Sequence, residues 1–272
     1  MNTRTGCRGL AVCVCVIFAL FSCATGGGNG KKVHAAPDAH SLALLKIIED
    51  INGGAPDSYV AHITSQGVSN RNKYNSVAEV LFLKNPRVMK ASFTDLVFRS
   101  HISTFVQEGE DIRIFFPIDK VLYQDTVATI NLKNYTGIDI EFGFLYPMLT
   151  GRIPLITDFS VKSGLTENGA AGTIEYVILE NRGYFQTIGF AGGVPRKLLF
   201  VNKASQERVE LYLENPSWQG KTLWYREIRL VLPATMESLT MTFSDITLGV
   251  PLDPVTVADL VVPPGTKVIK MY

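Results

Sequence analysis

Val80-Leu81-Phe82-Leu83-Lys84-Asn85-Pro86-Arg87-Val88-Met89-Lys90 reads as two apolar, β-rich runs around a short turn. Pro86 removes a ladder donor and biases Asn85 towards extended backbone, so the chain reverses there. A second such unit follows at once. Phe105-Val106-Gln107-Glu108 and Asp111-Ile112-Arg113-Ile114-Phe115-Phe116 flank Gly109-Glu110, and Pro117 stops the run. Two hairpins in succession predict an antiparallel meander.

Working outward, strands are expected over 59–68, 76–84, 88–93, 98–107, 111–116 and 121–127, then over 155–162, 173–181, 184–190, 197–202, 208–214, 222–232 and 239–247. Two stretches break the alternation. Asp38 can cap a helix over 38–51, where Leu42, Leu45, Ile48 and Ile51 follow helical spacing until Gly53-Gly54. Between residues 134 and 151, Phe142, Leu145, Tyr146 and Leu149 recur at helical spacing and predict a short amphipathic helix. So many strands at this spacing suggest a barrel or a strongly curved sheet, mainly β with some α, and no linker divides residues 38–272.

The N-terminus carries a different signal. Residues 10–21 are apolar and follow Arg4 and Arg8, as in an export leader, but the run is too short to span a bilayer, which needs about 20 apolar residues. Leu20-Phe21-Ser22-Cys23 ends it as a lipoprotein cleavage box would, which makes 1–22 the signal peptide and Cys23 the lipidated residue. A plain export signal or an uncleaved anchor is the alternative reading. Cys7, Cys13 and Cys15 would leave with the leader, so no disulfide framework or cysteine metal site is expected. Two or three acyl chains on Cys23 would give stable anchoring without a span, and the glycine-rich stretch to residue 37 reads as a flexible tether.

Composition excludes several classes of function. The chain has 26 basic against 25 acidic residues, which offers nothing to a nucleic acid. Hydrophobic residues make up 46% and charged ones 19%, enough for a large core or for a core with an apolar cavity. His62 and His101 each stand alone in an expected strand, and no HExxH, GxSxG, Walker or GxGxxG element occurs. The acidic group Glu108, Glu110 and Asp111 reads as an exposed turn. No catalytic residue, metal site or cofactor is expected. The distinctive content is aromatic and aliphatic, and strands carrying Phe82, Phe93, Phe105, Phe115, Phe190 and Phe243 could enclose a filled core or a lipid.

The stretch 80–90 resembles the strand-turn-strand around the K-x-P element of the lipoprotein carrier LolA and its receptor LolB. The stretch 105–117 resembles their next segment. Met241-Thr242-Phe243-Ser244-Asp245-Ile246 and Val262-Pro263-Pro264-Gly265-Thr266-Lys267-Val268 resemble the C-terminus of that superfamily. The resemblance implies an unclosed, strongly curved antiparallel half-barrel whose concave apolar face is covered by helices, with acyl chains of lipoproteins or phospholipids bound between. It implies Phe82, Met89, Phe93, Phe105, Phe115, Leu145 and Leu149 as lipid-binding residues, and Leu96, Val97 and Phe98 as a transfer loop. Asn85 stands where the soluble carrier has an arginine that helps hold its lid shut. With the anchor, this points towards a receptor on the periplasmic face of the outer membrane, with a periplasmic carrier or another envelope protein as partner. The same fold resembles the RseB/MucB group, which implies an envelope sensor or scaffold as the alternative.

Overall fold

The computed structural model describes residues 38–69, 72–131, 133, 141–169 and 172–271. The expected signal peptide, Cys23 and the expected tether lie outside the described residues, as do residues 134–140 ahead of the second helix.

The first helix of the described residues, α1 (Ala39–Gly53), buries Leu44, Leu45, Ile48 and Ile51 on one face. Asp38 caps it, accepting from the Ser41 N–H at 2.7 Å and the Ser41 hydroxyl at 3.0 Å. Gly54 ends the helix against a hairpin turn, where a Cβ would stand 2.3 Å from the Lys221 carbonyl oxygen. The Asp38 carboxylate also accepts from the Gly164 N–H at 3.3 Å, joining the helix start to the sheet. These bonds, the Ser41 N–H foremost, hold its pKa below the usual aspartate value. A carboxylate depressed in the folded state stabilises above its unfolded pKa and loses that effect as pH falls through the folded value. Asp38→Ala should therefore lower the melting temperature at neutral pH, and the gap from wild type should narrow only as pH falls below about 4, through the lower folded value. A gap that persists in acid would remove the carboxylate as its source.

Fourteen strands of the described residues form one open sheet. A first meander runs through β1 (Ser58–Ser69), β2 (Asn72–Leu83), β3 (Val88–Asp95), β4 (His101–Glu108), β5 (Asp111–Phe116) and β6 (Val121–Thr126). After α2 (Phe142–Leu149) a second meander runs through β7 (Ser160–Gly169), β8 (Gly172–Glu180), β9 (Tyr184–Ala191), β10 (Val194–Asn202), β11 (Arg208–Gln219), β12 (Thr222–Leu232) and β13 (Glu237–Leu248). The two join at one seam, where β1 pairs antiparallel with β13. Then α3 (Pro254–Ala258) and β14 (Lys267–Lys270) finish the chain, and β14 pairs parallel with β6.

Two rings on α2 reveal the curvature. Phe142 lies 5.5 Å from Phe105 of β4, and Phe144 lies 4.4 Å from Phe200 of β10. These strands are seven places apart in the sheet, roughly 34 Å if it were flat. A helix about 10–12 Å wide can touch both only if the sheet curls around it. The fold is thus the expected half-barrel, mainly β and unclosed, with helices against its concave face. The parallel β14 is an addition to the expected antiparallel order.

The remaining departures have physical causes. The strand expected over 155–162 begins instead at Ser160, because residues 153–156 form a buried connection held by amide side chains. Asn52 donates to the Ile153 carbonyl at 3.1 Å and accepts its N–H at 2.7 Å. Fully buried Gln186 does the same for Pro154 and Ile156, at 2.7 and 2.9 Å. These side chains replace ladder partners, so an apolar run need not be a strand. On the convex face, residues 252–258 cover Leu81, Leu83 and Val88, and Lys90 and Arg113 donate to the Asp259 and Ala258 carbonyls at 2.8 and 3.0 Å.

Candidate functional site

Within the first meander the concave wall does not close onto a filled core. Alternation along β2 turns Ser76, Ala78, Val80 and Phe82 inwards, and the register sets Phe93 opposite Ala78, Ala91 opposite Val80 and Met89 opposite Phe82. Small side chains in the middle of this wall leave space beneath α2. A cavity of about 580 Å³ results, within the 300–1,000 Å³ or so usual for ligand pockets. Ile63, Met89, Phe93, Phe105, Leu145 and Leu149 contribute to its lining. Tyr59, Phe82 and Trp224 pack together, with Tyr59 5.3 Å from Phe82 and 5.1 Å from Trp224, outside that lining.

The fold recurs in solved structures. A domain described as an outer membrane lipoprotein-sorting protein, from Vibrio parahaemolyticus, superimposes with a TM-score of 0.59 at 12% identity, covering 78% of this chain and 95% of its own. A LolA superfamily protein from Nitrosomonas europaea gives 0.55 at 15% identity over 78% and 96%. A DUF1329 family protein from Desulfovibrio piger gives 0.53 at 10% identity over 80% and 96%. The fold is LolA-like. No family model and no curated protein matches the sequence.

In this LolA-like half-barrel Met89, Phe93, Phe105, Leu145 and Leu149 stand together around the cavity. Two expected lining residues stand elsewhere. Phe82 is buried with Tyr59 in the filled part of the core. Phe115 corrects the sequence reading more sharply, since the inward positions of β5 belong to Ile112 and Ile114 while Phe115 pairs with Leu122 on the convex side. Ile114 and Phe116 take the places on the cavity wall that Phe115 was expected to hold.

The expected transfer loop forms the turn between β3 and β4, at the rim where the cavity opens. Asp95 accepts from the Val97 and Phe98 N–H groups at 2.8 and 2.7 Å, which fixes the turn tip. Leu96 and Val97 line the mouth, while Phe98 is 84% exposed and does not. Strand direction puts the exposed Ile118 and Met236 on turns at this same rim. The opposite end is braced differently. Asn85 sits in the turn between β2 and β3, and nearby Arg87 places its guanidinium 5.8 Å from the Tyr146 ring centre. Arg87 also donates to the Gly109 carbonyl at 2.7 Å and pairs with Glu110. Burial pushes the Tyr146 phenol above its usual pKa.

The acidic group at 108–111 is the turn between β4 and β5, where Glu110 and Glu108 pair with Arg87 and Arg113. His62 faces outwards from β1, and His101 lies 2.9 Å from the Thr104 hydroxyl. Sequence reading missed Ser65, Ser76 and Ser103, which line the cavity among apolar neighbours. Counting back in twos from Val80 would have found Ser76.

Proposed function

We propose that this protein binds acyl chains of lipoproteins or lipids in the half-barrel cavity, as a membrane-anchored envelope lipoprotein held by lipidated Cys23. The observation that carries the reading is the apolar cavity of about 580 Å³ beneath α2. Each methylene moved from water into such a space contributes about 0.8 kcal/mol, so an acyl chain needs no catalytic group to be held. Handing the chain on requires an acceptor that binds it more tightly. This reading assigns the protein a binding and transfer role rather than catalysis, at the periplasmic face of the outer membrane.

Native mass spectrometry with lipid extraction, on protein purified from a bacterial envelope, tests it. Stoichiometric phospholipid or acyl chains are the expected result. Protein that arrives empty and ignores added lipid and acylated peptide would sink the reading and leave a sensor or scaffold role to pursue. Leu96→Glu places a charge at the mouth without entering the filled core, so it should slow lipid transfer to acceptor vesicles by about tenfold or more while leaving the melting temperature unchanged. This follows from the cost of dragging an apolar chain past a desolvated charge. Unchanged transfer would remove the turn from the pathway.

A further inference from the structure

The cavity wall changes character near its mouth. Ser65 of β1 and Ser76 of β2 are direct cross-strand partners on the inward face. Ser103 of β4, opposite Phe93, shares that face. The three residues are 7%, 8% and 8% exposed and all line the cavity. Among the described residues none of their hydroxyls has a hydrogen-bond partner in the protein. Below Ser76 the wall turns apolar through Ala78 to Val80, four residues of strand or roughly 13 Å. Their oxygens open onto the cavity rather than being sealed in the wall, and apolar side chains would suit these positions better if packing an apolar chain were the only demand, because a hydroxyl facing such a chain wants a partner.

We infer that this serine belt binds the acyl-ester linkage of a diacylglyceryl amphiphile, the hydroxyls donating to ester carbonyl oxygens while the chains extend towards Val80. The inference rests on the acyl-binding reading above and names the class of ligand. The chemistry of the belt selects an uncharged acceptor. Its donors are neutral, and a phosphate or carboxylate at that depth would lack a charge partner. Asp95 would oppose an anion there too, since it pairs with Ser76 in the register and lines the same wall. Lys73 is further out on the lining and exposed, where a charged headgroup would sit.

The test compares two lipids of equal chain length in competition on the full chain by native mass spectrometry, dipalmitoyl phosphatidylglycerol and its dihexadecyl ether analogue. The ether lacks the carbonyl oxygens. Wild type is expected to retain the diester about fivefold or more over the diether, the effect of losing two ordinary hydrogen bonds. Ser65→Ala/Ser76→Ala should bind both lipids as wild type binds the diether, and Ser65→Thr/Ser76→Thr, which keeps the hydroxyls, should restore the preference. A wild type indifferent to the linkage, or an alanine variant that keeps the preference, overturns the belt while leaving acyl binding intact. A wild type that retains neither lipid overturns the acyl-binding reading and the belt with it. A third probe, a dipalmitoylglyceryl-cysteine peptide, identifies the source of the linkage. Its retention over the phospholipid supports the belt with a lipoprotein as source, and the reverse order supports it with a membrane lipid.

Discussion

Ala78→Trp should abolish acyl-chain binding and leave the protein folded. Ala78 is 1% exposed, pairs with Ile63 on one side and Phe93 on the other, and lines the cavity. An indole there enters open space of about 580 Å³ and occupies the path of the chain. Ala61 on β1 supplies the contrast, because it is fully buried yet faces the filled part of the core. Ala61→Trp forces the same volume into packed atoms and should cost about 1–3 kcal/mol or more. Bound lipid and the urea midpoint, measured on both variants, separate the cases. Equal destabilisation of the two would mean the cavity closes in solution, and normal lipid binding by Ala78→Trp would place the chain elsewhere.

Tyr59→Ala should produce the largest loss of stability of any single change here, about 3–5 kcal/mol. Its ring is fully buried against Phe82 and Trp224, and its hydroxyl donates to the Leu149 carbonyl at the end of α2. Burial drives the phenol pKa far above its usual value, so it stays a neutral donor at any pH at which the fold persists. Tyr59→Phe isolates the hydroxyl and should cost about 1–3 kcal/mol by leaving a shielded carbonyl unpaired. Chemical denaturation of both variants is the check. A phenylalanine variant as stable as wild type would show that water reaches Leu149 and that the helix end is not sealed.

Much of the architecture was legible because local signals agreed. Asp38 and Gly54 mark both ends of α1, and the expected helix over 38–51 falls within two residues of the observed one. Asp111–Phe116 and Thr222–Leu232 match their expected bounds because turn residues flank them tightly. Strand β7 was not legible, since Ser163-Gly164-Leu165-Thr166-Glu167-Asn168-Gly169 has the composition of a loop and is a strand only through pairing with β8. Phe115 was misplaced because β5 ends in two adjacent aromatics, one on each face, and only alternation counted from Asp111 and Arg113 puts Phe115 with them on the convex side. The cavity itself depends on which apolar positions are small. Periodicity gives the inward face of β2, but the empty volume appears only once Ala78 and Ala91 are set beside one another's strands.

The single seam between β1 and β13 also sets the order in which the molecule can assemble. Every other antiparallel pair joins neighbours in sequence, so each meander can zip from its own hairpin turns with little loop-closure entropy. The seam must wait, because Tyr59 finds Leu248 only after the whole second meander has been made. Refolding is therefore expected to show two fast local phases followed by a slower docking step, and the long edges of β1 and β13 stay unpaired in between. That interval is when the chain is most prone to pair with another copy of itself, so a chaperone that shields strand edges would act most usefully there.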